Sequence, residues 1–436
     1  MLVGWSHKYK EVLDMFDLGR YAIDYSQLNI EDFKTAFAGF IAAEKEIREK
    51  IEVHYEDVIS LSERNIQEAE KVLNHILEKP PRQKSLLDTS SPERYIGPYR
   101  VLRKGYAEDE SIRQNAASGG MVTAMLIHLL KTGRIDGAWV TKSHIENGAL
   151  GYKTFVATTE EEIKSASSSI YMSMPLFKHI DRIKAFDGKI AVVLTPCMMR
   201  AFNNMIERDQ SLREKIVIKL GLFCSGDCDK TATEFALKKA GLSLKDAVRL
   251  YYRRGNWRGQ SSVLHCDGSE KAFSYTKTIC AYKNAGFFMR KRCLTCQDHF
   301  AGSADISFGD IWLKPMKKEP FKHTCCVIRT EAGEKLYESA ASSGAIISRH
   351  VSAADMILGQ KRALVFKFNC ARAKDKELRD QDTLDDLDKC KWNHRLAYRL
   401  TAKNSEYSIK KPESLYRLPM WFVYYYMCFI RALLNF

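Results

Sequence analysis

Cys293-Leu-Thr-Cys296 places two thiols at a spacing that lets both thiolates reach one metal centre. Two further cysteines follow apolar runs with the texture of buried strands: Cys197 in TPCMM and Cys224 in LGLFCSGDC. Ligand sites in α/β sheets form at the carboxyl ends of strands. Cys197, Cys224, Cys293 and Cys296 are therefore a candidate four-thiolate set for a [4Fe-4S] cluster, with Cys228 in reserve. On residues alone, a zinc site or a redox dithiol stays open. Cys266, Cys280, Cys325, Cys326, Cys370, Cys390 and Cys428 read as ordinary thiols.

A second signal is Ala117-Ser118-Gly119-Gly120-Met121, which opens an apolar helix. Small residues let backbone approach a ligand, and a helix N-terminus offers free N–H groups to a phosphate. This suits the diphosphate of a dinucleotide or flavin. A tight turn before a core helix explains the same residues. Downstream, SADISFGDIW carries Asp305 and Asp310, which suit ribose hydroxyls, iron or a turn. Arg254-Gly255-Asn256-Trp257 combines a cation, a flexible residue and a ring able to stack on an isoalloxazine. A loop with one packed Trp fits equally. Ser167, Ser168, Ser169 and Tyr171 read as a hydroxyl-rich cap before a helix.

The elements that must position these groups alternate. Strand-like runs cover residues 192–195, 217–223 and 324–329, with helical patterns at 121–130 and from Ala332. The alternation predicts an α/β core. Residues 31–78 read as one long or two shorter amphipathic helices. Residues 79–98, with four prolines, read as a linker. A core domain over 99–410 and an aromatic segment over 411–436 complete the division.

Composition bounds the rest. The chain has 436 residues, 45% hydrophobic and 28% charged, which excludes wholesale disorder. Twelve cysteines are too few for a disulfide scaffold of this length. The start, MLVGWSHKYK, lacks a signal peptide's apolar run, so a reduced, cytoplasmic chain is expected. The net charge of +14 favours anionic partners. Nucleic acid is not among those expected, since the charge is dispersed and no recognition motif occurs. The C-terminal LPMWFVYYYMCFIRALLNF is too short to span a membrane and suits either packing or peripheral contact at the inner membrane face.

Six segments occur in a telling order: ASGGMVTAML, SSSIYMS, VVLTPCMM, LGLFCSGDC, RRGNWRG and CLTCQDHFAGSADISFGDIW. Together they resemble the coenzyme F(420) hydrogenase/dehydrogenase beta-subunit family over roughly residues 99–350. The resemblance implies an α/β (mixed α+β) iron–sulfur flavoprotein core with an N-terminal helical appendage. It implies FAD and a [4Fe-4S] cluster, with Cys197, Cys224, Cys293 and Cys296 at the cluster positions. Ser118-Gly119-Gly120 matches the flavin-associated turn, and Trp257 and Asp310 match the Trp-Gly loop and the GD element. An oxidoreductase is implied, working with a redox partner protein or a hydride carrier: deazaflavin, nicotinamide or ferredoxin.

Two departures stand out. No cysteine precedes Cys197, so a second cluster is not expected, and Met198-Met199 replaces the usual Gln-Ile. Separately, GWSHKYKEVLDMF and AIDYSQL resemble the carboxyl-terminal end of a polysaccharide pyruvyl transferase, over about 80 residues. That segment is too short for transferase activity and implies a fusion remnant or a docking element. The alternative function is then a non-catalytic scaffold beside a polysaccharide biosynthesis enzyme.

Overall fold

The structure is a computed structural model and describes residues 2–4, 7–24, 29–77, 87–255, 259–370 and 390–435. Two compact units divide the chain, Met1–Lys84 and Ser85–Phe436.

In the first unit, β1 (Leu2–Gly4) pairs in parallel with β2 (Ala22–Asp24). Residues 31–78, read as one or two helices, form two: Ile30–Ala42 and Glu44–Leu77. Asn29 starts the first by accepting the Asp32 N–H at 2.9 Å. Little of this unit is buried. Ile30, Phe37 and Ile41 stand 73%, 47% and 55% exposed on one helix face.

The second unit is built on an eight-stranded mixed sheet. Its strands are β3 (Val101–Ala107), β4 (Gly137–Glu146), β5 (Ala149–Ala157), β6 (Ile190–Leu194), β7 (Ile216–Leu222), β11 (Ile306–Asp310), β12 (Thr324–Ile328) and β13 (Ile346–His350). A separate antiparallel sheet holds β8 (Ala247–Arg254), β9 (Gln260–His265) and β10 (Glu270–Phe273). The large sheet runs β13-β3-β12-β11-β7-β6-β4-β5. Its centre, β11-β7-β6-β4, is parallel. These strands are rich in Val, Ile and Leu, as sheets covered on both faces require. Helices flank them, including Met121–Lys131, Pro196–Arg208 and Glu331–Ser342. Thr330 caps the last of these, its hydroxyl oxygen accepting the Gly333 N–H at 3.1 Å.

Within the segment read as a linker, Leu87, Tyr95 and Ile96 are buried in the same core cluster as Cys293. At the other end, the helix Met420–Leu433 buries Val423, Met427, Ile430 and Leu433. No helix among the described residues is long and apolar enough to cross a membrane.

Candidate functional site

The register of the parallel strands sets the site. Leu194 of β6 pairs with Gly221 of β7, and Leu222 of β7 pairs with Phe308 of β11. Cys197 follows β6 by three residues, Cys224 follows β7 by two and Asp310 ends β11, so all three lie at the carboxyl ends of adjacent strands. Cys197 sits in the first turn of the Pro196–Arg208 helix.

Cys293 lies in the short turn of helix Lys291–Leu294 and is buried, with Cys296 half-buried beyond it. The Asp227 backbone N–H faces the Cys293 Sγ at 3.4 Å. The ammonium of Lys367, only 1% exposed, stands 3.3 Å from the Cys296 Sγ, 3.3 Å from its carbonyl and 3.0 Å from the Asp298 carbonyl. Lys367 belongs to a π-helical segment, Val365–Cys370, whose residues are all buried. Such segments recur at functional sites. Burial pushes the Cys224 thiol up, and the charges of Lys367 and Lys283 pull it back. Burial also raises Cys293, opposed by the Asp227 N–H and reinforced by Cys224. Burial thus favours the neutral thiol at Cys224 and Cys293, and Lys367, Lys283 and the Asp227 N–H are the groups placed to oppose it.

Cys228 is placed differently. Its Sγ donates to the Tyr171 carbonyl at 3.2 Å, and burial pushes its thiol up to about 12. No direct contact joins Cys197 to the other three; the strand register alone brings it to their edge of the sheet. Among the described residues, no three Cys, His, Asp or Glu side chains converge closely enough to hold a single metal ion. A four-iron cluster takes one thiolate on each iron, so its ligands need not converge on one point as those of zinc do.

The second half of the site lies along β11 and β12. Asp310 forms an ion pair with the Arg253 guanidinium at 2.5 Å; Arg253 is 3% exposed. Burial opposes the Arg253 charge, and Asp310 holds it above its ordinary value all the same. Arg253 Nε also donates to the Ala117 carbonyl at 2.8 Å, its guanidinium carbon 5.0 Å from the Trp312 ring centre. Lys322 donates to the Ala116 carbonyl at 2.5 Å. Burial, then Arg253, pushes the Lys322 amine down to about 7, with Asp310 opposing. Ala117, Arg253, Asp310, Trp312, Lys322 and His323 line a small cleft here.

The glycine turn stands beside this cleft. The Ser118 hydroxyl donates to the His323 carbonyl at 2.8 Å, and the Gly119 N–H to Thr324 Oγ1 at 2.8 Å. A Cβ on Gly119 would lie 2.6 Å from the Gly105 carbonyl oxygen, so the close approach that requires glycine is to the sheet itself. Gly120, at φ +83°, begins the Met121–Lys131 helix without a side-chain cap. The turn thus fixes the cleft wall, and its cations supply the attraction for an anionic ligand. The enclosed space, about 10 Å³, is that of one water molecule, so a ligand here would lie against the cleft and not inside it.

A chain of close polar contacts joins the two halves. His299 Nδ1 meets the Cys224 carbonyl at 3.0 Å, and its Nε2 meets Gln360 Oε1 at 3.1 Å. The Gln360 amide nitrogen donates to the Asp310 carbonyl. Burial, then Lys367, pushes His299 down to about 3, so the ring is neutral at physiological pH and its single N–H serves either the Cys224 carbonyl or Gln360 Oε1.

Other residues singled out by type serve the frame. Asp305 accepts the Lys219 N–H at 2.8 Å and the Thr330 hydroxyl at 3.2 Å, a structural role. The Ser168 hydroxyl donates to the Arg253 carbonyl at 3.1 Å, so this serine stretch steadies the strand that carries Arg253. Trp257 lies outside the described residues. Sequence reasoning missed Arg253, His299, Lys322, Gln360 and Lys367. One signal was on the page: a lone lysine inside the apolar run VFKFNC.

Comparison with known proteins bears on the family of the chain. Residues 103–181 match the model for the coenzyme F420 hydrogenase/dehydrogenase beta subunit N-term, and residues 187–354 match that for its C terminus. The beta subunit of F(420)-dependent formate dehydrogenase 1 from Methanococcus maripaludis is 28% identical over 239 residues, 55% of this chain and 58% of that one. The chain thus spans little more than half of that relative's length. The coenzyme F(420) hydrogenase beta subunit from Methanococcus voltae is 26% identical over 261 residues, 59% of this chain and 86% of that one. A chain of the F(420)-reducing NiFe hydrogenase complex from Methanosarcina barkeri, solved as a xenon derivative, aligns at a TM-score of 0.49 with 22% identity, over 63% of this chain and 91% of that one. Together the two matched stretches take in more than half of the 436 residues, and the chain belongs to the coenzyme F(420) hydrogenase/dehydrogenase beta-subunit family.

Proposed function

We propose that the chain is an electron-transferring oxidoreductase subunit with two adjoining redox sites. A [4Fe-4S] cluster is held by Cys197, Cys224, Cys293 and Cys296, and FAD is anchored beside Asp310. The observation that carries this reading is the chain Cys224–His299–Gln360–Asp310, which ties the thiol site to the cationic cleft. FAD, when bound, supplies hydride chemistry, and an iron–sulfur cluster supplies one-electron relay.

The protein's own residues do the rest. Lys367 and the Asp227 N–H offset thiolate charge. Arg253 and Lys322 attract the anionic part of the cofactor, and the Ser118-Gly119-Gly120 turn keeps the cleft wall rigid. The hydride partner is proposed to be a deazaflavin, as the names of the relatives state for them; nicotinamide or ferredoxin are the alternatives. A direct test compares Cys293→Ser and Cys296→Ser with Cys228→Ser after anaerobic purification. The first two are expected to lose iron–sulfur absorbance and the third to keep it. Loss only in Cys228→Ser would overturn the ligand set.

A second reading concerns the first unit. Residues 1–84 lie outside both matched stretches. The exposed Ile30, Phe37 and Ile41 face favours a docking role there, for which a polysaccharide biosynthesis enzyme is the proposed partner. Co-purification that is lost on Phe37→Ser with Ile41→Ser would support it.

A further inference from the structure

The helix Met420–Leu433 is packed on one side only. Val423, Met427, Ile430 and Leu433 enter the core. On the other side Trp421, Phe422, Tyr425 and Phe429 stand 63%, 42%, 65% and 48% exposed. At 3.6 residues per turn these four fall within one stripe roughly 100° wide. Cys428 and Ala432 fall in or beside it, so the stripe carries no charge. Arg431 is turned aside, its guanidinium 3.5 Å from the Cys280 Sγ. An exposed aromatic surface of this kind marks an interaction site.

Its surroundings narrow the occupant. Lys411 and Arg417 are exposed just before the helix, and neither has an ion pair among the described residues. Lys238 and Lys239 reach the same segment from the helix Thr231–Lys239, their Nζ atoms 5.0 and 5.9 Å from the Tyr416 ring centre. The helix N-terminus, at Pro419, has no side-chain cap and presents its positive end to the same edge. At 14 residues the helix falls short of the ~20 needed to span a bilayer. It lies along the surface, with aromatic side chains standing outward as a ridge. Lys239 is held by the Tyr416 carbonyl at 2.5 Å, which leaves Lys411, Arg417 and Lys238 as the exposed cations. Trp and Tyr on a ridge with such cations nearby match the headgroup boundary of an anionic bilayer.

We propose that this helix docks the protein on anionic lipid. Trp421, Tyr425 and Phe429 enter the boundary region, while Lys411, Arg417 and Lys238 face lipid phosphates. The test is flotation of the full chain with vesicles of phosphatidylcholine alone and of phosphatidylcholine mixed with phosphatidylglycerol. Binding is expected with the mixed vesicles and is expected to weaken as salt rises. The Trp421→Ser/Tyr425→Ser/Phe429→Ser variant should lose it. Lys411→Glu with Arg417→Glu should weaken it about tenfold or more, since each surface cation contributes to adsorption. In the unaltered protein, bromine-labelled lipid tails should quench tryptophan emission, and Trp421→Phe should remove that quenching; this arm holds even where the triple variant folds poorly. Binding no stronger than that of the triple variant, or no quenching, would overturn the proposal. So would a dimer of the unaltered chain that the triple variant abolishes, which would give the stripe to a second copy.

Discussion

Buried cations organise the site at the scale of single residues. Lys367 has its ammonium against Cys296 and Asp298 and is almost wholly buried. An ammonium held there is costly unless anionic partners repay it. A thiolate-bound cluster is such a partner. Lys367→Met is accordingly expected to lower iron retained per chain several-fold under a mild chelator, with Lys367→Arg intermediate. Full retention in Lys367→Met would contradict the role. Arg253→Met should destabilise the protein by about 3 kcal/mol, because it leaves Asp310 without its cation. Denaturant melts measure this, and a loss under about 1 kcal/mol, the worth of an exposed pair, would contradict it. Lys322 adds a pH dependence. Its folded value, about 7, lies below that of a free lysine. From there upward the unfolded chain holds more protons than the folded one, so stability should rise with pH until ordinary lysines titrate. Lys322→Met should flatten that slope, and an unchanged slope would remove Lys322 as its source.

At the scale of elements, the strands and turns that carry the cysteines follow from their residues. The runs at 192–195 and 217–223 are β6 and β7, and the stretch opened by Met121 is a helix. Local pattern sufficed there because apolar β-branched runs and glycine turns act on nearest neighbours. The role of the Ser118-Gly119-Gly120 turn was legible only in part. Its glycines suggested ligand approach, whereas Gly119 is pressed against the backbone of β3 and β12, more than 200 residues apart in the case of Thr324. Arg253, His299 and Gln360 were illegible for the same reason. Each gains its role from a contact distant in sequence, which no window along the chain reveals. Lys367 gave a local sign, a charge in an apolar run, without a partner to explain it. The turn makes a sharp prediction. Gly119→Ala forces a Cβ onto the Gly105 carbonyl and should cost several kcal/mol or soluble yield, since backbone cannot yield as a side chain does. Gly302→Ala meets nothing within 4 Å and is expected to be near neutral. Equal melting of the two variants would contradict the packing argument.

At the scale of the whole molecule, the chain combines a family core with a separate helical unit. The matched stretches and every site residue discussed lie within Ser85–Phe436. Removal of residues 1–84 is therefore expected to leave cofactor content and melting of the remainder unchanged, and loss of either would show that the first unit completes the core. The charge of +14 suits the anionic cofactors and the anionic lipid proposed for this chain. The central claim is that one cluster and one flavin sit at the carboxyl ends of β6, β7 and β11. Its most direct test is anaerobic purification followed by flavin, iron, sulfide and zinc content per chain. One flavin with about four irons and four sulfides is the expected result. Zinc in place of iron, or neither cofactor after anaerobic reconstitution, would contradict it.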